Sequence, residues 1–175
     1  MNAPEFSRPV RIDTLGGGAR EMEIEADAAE RGALAERFGL ISLERLRAAI
    51  ALVRRGEEIV ATGRVHAALA QACVATGEPV SAELDEPFEI LFRPHPATAG
   101  EEEIEIAGSE LDVVFFDGGL IDVGEAVAET VALSLDPFPR SPAAAEALRE
   151  AGVLSEEEAK PAGALAGLKD LLRND

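Results

Sequence analysis

The chain has 175 residues and a mass of 18.4 kDa, one domain's worth plus a tail, and its 47% apolar content can bury a core without disulfides or metal. Sixteen Lys and Arg against 34 Asp and Glu give a net charge of −18. That balance argues against a simple basic clamp on nucleic acid, with no DNA partner expected, and against an anionic membrane surface, and it fits a basic partner.

Cys73 is the single cysteine and there are two histidines, too few for an intrachain disulfide or the usual four-ligand zinc site. No metal and no cofactor are expected. The first ten residues lack a charged-then-apolar signal pattern and no apolar run reaches membrane-spanning length, so the cytoplasm is the expected compartment. Trp and Tyr are absent, which weakens any stacking platform for bases.

Residues 6–15 alternate loosely and 21–25 alternate again around Gly16, Gly17 and Gly18, which predicts a hairpin. A phosphate loop would need a helix with Lys-Ser/Thr at its start, and that is missing. Asp27 to Phe38 reads as a helix, with Asp27 as cap, Glu30 in capping-box position and Gly39 as stop. Residues 43–55 fit helical and strand spacing alike. Strand is favoured because Ile59 to Cys73 alternates cleanly as a long strand and Gly56-Glu57 suits a hairpin turn. A turn at Thr76–Pro79 leads into a strand from Val80 to Phe92, with a bulge or an edge at Pro87. Residues 97–109 read as an acidic exposed loop and 111–116 as a strand. Asp117-Gly118-Gly119 is a turn. Asp122 caps a long helix to Leu135, with Glu125 in capping-box position and Val123, Val127 and Val131 as its core stripe. Pro137, Pro139 and Pro142 make a stiff exit, followed by short Ala-rich and Leu-bearing helical stretches.

No catalytic signature is present, so an enzyme is not expected. His66 and Cys73 are seven residues apart on one strand and fall on opposite faces. Cys73 then reads as a small buried hydrophobe. Asp112, Asp117 and Asp122 suit turn and cap roles better than a cation site. Two charged regions remain. Residues 31–64 hold seven Arg against four Glu, and Arg45, Arg47, Arg54, Arg55 and Arg64 are candidates for contact with RNA phosphates. Residues 83–112 hold ten acidic residues and only Arg93, which suits a basic protein segment; a solvated surface is the competing reading for both regions.

The run Gln71-Ala-Cys73-Val74-Ala-Thr76-Gly-Glu78-Pro79-Val80 resembles the central motif of the YceD family, named for large ribosomal RNA subunit accumulation. Asp117 to Glu129, through Gly118, Asp122 and Glu125, resembles its second motif, which Ala132 to Arg140, with Pro137 and Pro139, completes. The resemblance runs from about residue 5 to 142, and Lys160 to Lys169 is similar to a degenerate form of the family's tail. It implies a role in synthesis, processing or stability of large-subunit ribosomal RNA. In many bacteria the family's gene neighbours that of a large-subunit ribosomal protein, which supports the same theme. Many members carry a second cysteine near the first. Here Cys73 stands alone, so a zinc role for those members does not transfer. Each motif residue also has a plain structural use as turn, cap, core or stop.

The expected fold is α+β: a mostly antiparallel sheet that could curl toward a barrel, one long helix at 122–135, a shorter one at 27–38 and a helical C-terminal tail. The expected division is a YceD-like domain over 1–142 and a tail over 143–175. The expected function is a non-catalytic ribosome-biogenesis factor whose partner is a large-subunit ribosomal RNA precursor. The alternative is an acidic adaptor or holdase for a basic ribosomal protein without RNA contact.

Overall fold

Period-two alternation between residues 42 and 94 folds as three long strands that carry the core on one face. The computed structural model describes residues 4–95 and 112–153. In chain order the elements are β1 (Pro9–Arg11), β2 (Arg20–Glu25), α1 (Ala28–Phe38), β3 (Ser42–Arg55), β4 (Glu58–Ala72), β5 (Pro79–Pro94), β6 (Asp112–Phe116), β7 (Leu120–Asp122), α2 (Val123–Leu133) and α3 (Ala144–Glu150). One sheet runs β2-β3-β4-β5-β6, and β1 pairs separately with β7. Every pairing is antiparallel except β5 with β6, which is parallel.

The core face is continuous across register. Leu46, Ala48, Ile50 and Leu52 of β3 lie beside Ile59, Ala61, Val65 and Ala67 of β4, and Phe88, Ile90 and Phe92 of β5 extend the same layer. Val123, Val127 and Val131 of α2 belong to the same buried cluster, with Phe6, Leu34 and Ile121. Each such side chain contributes about 1.5–3 kcal/mol when fully buried. Gly63 allows a close approach: a Cβ there would collide with the Ala49 carbonyl oxygen and lie 2.6 Å from the Phe88 ring.

Several expected elements stand. Asp27 caps α1 with a complete capping box to Glu30, and Gly39 closes it in the left-handed region. Residues 43–55 are strand, and Gly56-Glu57 is the two-residue turn between β3 and β4. The β4–β5 ladder runs through Pro87 without a register shift, so Pro87 marks an edge, not a bulge.

The fold class needs correcting. Strands take 46% of the described residues and helices 24%, so the chain is mostly β and not a balanced α+β fold. The sheet is open, because β2 and β6 lie at opposite edges and do not pair. Among the described residues there is no long helix: α2 has 11 residues, the same as α1. It ends early: the Ser134 N–H is shared between the Thr130 and Val131 carbonyls, and the Leu135 N–H turns to the Ala132 carbonyl, an i−3 bond that tightens the last turn. The helical tail is not supported. Only Ala144–Glu150 is helical in its described part, and 154–175 lies outside the described residues, as does the expected loop at 97–109. The hairpin of 6–15 with 21–25 does not form. β1 pairs with β7, Val10 opposite Ile121, and β2 pairs with β3. Alternation identifies a strand but not its neighbour.

Candidate functional site

Sheet register places the arginines. Beyond the bulge at Leu43/Arg45, odd positions of β3 and even positions of β4 face away from the core. Arg45, Arg47 and Arg55 therefore project from that outer face, and Arg64 joins them opposite Ala49. At about 3.4 Å per residue the stripe from Arg45 to Arg55 is about 34 Å long. Arg54 has the parity of Leu46 and Leu52 and turns to the other face. Its guanidinium donates to the Gly56 carbonyl at 2.9 Å and the Ile12 carbonyl at 3.4 Å. It is exposed but not part of the stripe.

Among the described residues Arg45, Arg47 and Arg55 make no ion pair or side-chain hydrogen bond. Arg64 is engaged, with Nη1 2.7 Å from an Asp85 carboxylate oxygen. That bond raises the Arg64 pKa and lowers the Asp85 pKa. His66 Nδ1 lies 3.4 Å from the same carboxylate. Acid flanks the stripe on both sides. Glu21, Glu23 and Glu25 stand along β2, and Glu83, Asp85 and Glu89 along β5. One row across the sheet reads Glu25, Arg47, His66, Asp85. Between the β2 glutamates Glu21 and Glu23 and Arg64 of β4, the small residues Ala49, Ala51, Thr62 and Gly63 floor a shallow groove of about 680 Å³.

The motif residues gather elsewhere, in two places. The first is a junction between the β4–β5 turn and the segment after α2. Gln71 Nε2 donates to the Asp136 carbonyl at 2.9 Å, and the Val74 N–H to the Pro139 carbonyl at 2.9 Å. The Ser141 N–H donates to Cys73 Sγ at 3.3 Å, and Ser141 Oγ to the Glu78 carboxylate at 2.9 Å. Thr76 Oγ lies 3.3 Å from Ser141 Oγ and 3.2 Å from the Glu78 carboxylate. Cys73 is 3% exposed. The Ser141 N–H, assisted by the Thr76 hydroxyl, outweighs burial and pulls its thiol down to about 6. It is a buried hydrogen-bond acceptor, more than the plain hydrophobe expected. Pro79 opens β5 opposite Ala72, and Pro137 follows Asp136, whose carboxylate accepts the Phe138 N–H at 2.9 Å.

The second place is the start of α2. Asp122 Oδ1 accepts the Arg8 N–H at 2.7 Å, the Gly124 N–H at 3.0 Å and the Glu125 N–H at 3.2 Å, while Oδ2 accepts the Ser7 hydroxyl. The cap thus also anchors the strand β1. Glu125 does not complete a capping box. Its carboxylate takes the Arg37 guanidinium at 2.7 and 3.0 Å, and Arg37 also reaches Glu5. Those bonds raise the Arg37 pKa. Glu129 is held above the usual carboxylate range by partial desolvation and then by Glu125. Gly118 sits at φ 70° in the β6–β7 turn.

Thr76 and Ser141 are not among the candidates that the sequence offers, although Thr76 lies within the central motif. No local pattern joins them across 65 residues. Among the described residues no three His, Cys, Asp or Glu side chains converge as a metal site, and no helix is long and apolar enough to cross a membrane.

The family model described as Large ribosomal RNA subunit accumulation protein YceD matches residues 61–172. The match begins inside β4, later than the expected residue 5, and runs past 142. It includes both motif clusters and Arg64, but not Arg45, Arg47, Arg54 or Arg55. No curated protein and no solved structure matches the chain.

Proposed function

From the premise that the chain belongs to the YceD family of large ribosomal RNA subunit accumulation proteins, we propose that it is a non-catalytic ribosome-biogenesis factor acting in the cytoplasm. It supports synthesis, processing or accumulation of large-subunit ribosomal RNA by holding the precursor through the outer face of the sheet. The observation that carries this reading is the row of unpaired guanidiniums at Arg45, Arg47 and Arg55. Free guanidiniums gain more from a phosphate than paired ones, since no existing ion pair must break. The acidic columns on either side make contact weak and narrow: a phosphate backbone placed over β2 or β5 meets like charge within a Debye length.

The test is a binding titration against a large-subunit ribosomal RNA precursor at several salt concentrations. Replacing Arg45, Arg47 and Arg55 together by Gln should weaken binding and flatten its salt slope by about 0.7–0.9 for each phosphate no longer neutralised. Arg54→Gln should leave both unchanged. Equal effects of the two variants, or none, would remove the stripe from the proposed function.

A second reading is an acidic adaptor for a basic ribosomal protein. It is favoured by Glu83 and Glu89 of β5, neither of which has a cation partner among the described residues.

A further inference from the structure

β5 is fully paired on one side only. β4 runs beside Pro79–Phe92, whereas β6 covers only Ile90–Pro94 on the other side. Among the described residues, 79–89 is therefore an open sheet edge. The turn at Gly56-Glu57 fixes which backbone groups face outward. In a two-residue hairpin the closing pair, here Arg55 and Glu58, exchanges hydrogen bonds. Even positions of β4 then bond to β3, and odd positions bond to β5. Carried through the register, residues 80, 82, 84 and 86 of β5 bond inward, and 79, 81, 83, 85 and 87 turn their backbone groups outward. The 2.8 Å bond from the Cys73 N–H to the Glu78 carbonyl has the same parity.

Pro79 and Pro87 both fall at outward positions, where a missing N–H costs no ladder bond. Between them lie seven residues, about 24 Å of strand at about 3.4 Å each. Ser81, Glu83 and Asp85 present their N–H and C=O groups there without a strand partner. The Asp85 carbonyl receives only the Arg64 guanidinium, at 3.3 Å. The two faces of this edge differ. The Glu83 and Asp85 side chains stand on the outer face, while Ala82 and Leu84 lie half-buried at the margin of the core.

We propose that this edge accepts an extended segment of a basic partner protein as an added strand. Lys or Arg on one face of that segment would meet Glu83 and Asp85, and apolar residues on the other would extend the core beside Ala82 and Leu84. Strand addition draws affinity from the backbone bonds and specificity from the alternating side chains. A second copy of this chain would set Glu83 and Asp85 against themselves, and RNA would meet the same carboxylates. The inference rests on the adaptor reading for its kind of partner and is independent of the arginine stripe.

The test titrates two peptides into the full chain: seven residues alternating Lys and Val, and a block of four Lys followed by three Val. The alternating peptide should bind and protect the Ser81, Glu83 and Asp85 amides from hydrogen exchange. Ser81→Pro copies the outward proline already present at 87, so it should keep the wild-type circular dichroism and weaken the alternating peptide at least tenfold. Glu83→Gln should weaken it less and reduce its salt sensitivity. Equal binding of the two peptides, or wild-type affinity in both variants, overturns the proposal. Protection by an RNA oligonucleotide and not by the peptide overturns it in favour of RNA. Protection that grows with protein concentration alone overturns it in favour of self-pairing. Peptide binding that fails while a basic ribosomal protein still binds elsewhere sinks the edge and leaves the adaptor reading standing.

Discussion

Replacing Asp122 by Ala should destabilise the fold by about 2–4 kcal/mol. Loss of the helix cap accounts for about 1 kcal/mol. The half-buried Arg8 N–H, left without its 2.7 Å acceptor, adds about 1–3 kcal/mol. The Ser7 hydroxyl can turn to water and adds little. For a chain of this size, about 2–4 °C per kcal/mol places the fall in Tm near 10 °C. Asp122→Asn keeps Oδ1, on which the Arg8, Gly124 and Glu125 N–H groups all converge. Its amide can donate to Ser7, so the Asn variant should stay within about 1 kcal/mol of wild type. Thermal and urea unfolding followed by circular dichroism read both values. An Ala variant as stable as wild type would refute the anchoring role. An Asn variant as unstable as Ala would show that charge, not hydrogen-bond geometry, holds the joint.

Gly63→Ala should cost about 1–3 kcal/mol or more, because the new methyl would press on the Ala49 carbonyl and the Phe88 ring; unfolding in urea measures it. Ser141→Ala removes the hydroxyl shared by Glu78 and Thr76 and should cost about 1 kcal/mol, while a change at the exposed Pro142 should cost nothing measurable in the same assay. Cys73 gives a pH dependence. Its folded pKa of about 6 lies below the unfolded value of about 8.5, so its contribution is full above the unfolded value and is lost as pH falls through the folded one. The stability gap between wild type and Cys73→Ser should widen from pH 6 to 8.5, and thiolate absorbance at 240 nm should titrate near the lower value. A flat gap would count against the hydrogen bonds that depress it.

Local chemistry makes some elements readable in the sequence. Asp27, Glu30 and Gly39 each satisfy or terminate backbone groups within a few residues, so α1 can be placed from its own ends. Gly56, at φ 68°, makes the β3–β4 turn equally plain. Strand partnership is not readable, because Val10 finds Ile121 across the chain and not the strand that follows it. The valine stripe of α2 overstates its length: the pattern continues to Leu135, but the Leu135 N–H already turns to the Ala132 carbonyl, an i−3 bond, before Pro137 acts. Within the candidate site, the true place of Arg54 is legible. It shares parity with Leu46, Ala48, Ile50 and Leu52, and that alternation already assigns it to the core side. The bond from Ser141 to Cys73 is not recoverable in the same way, since 68 residues separate them and neither carries a local pattern pointing to the other.

The proposed function stands or falls with contact between large-subunit ribosomal RNA and the outer sheet face. Sucrose-gradient sedimentation of tagged protein from lysate, with and without nuclease, reads that contact when wild type is run beside the Arg45, Arg47 and Arg55 triple Gln variant. Wild type should travel with large-subunit precursors and leave them after nuclease, and the variant should stay at the top of the gradient in both samples. A variant that travels with the precursors as wild type does, or a wild type that stays at the top throughout, would refute contact through this face.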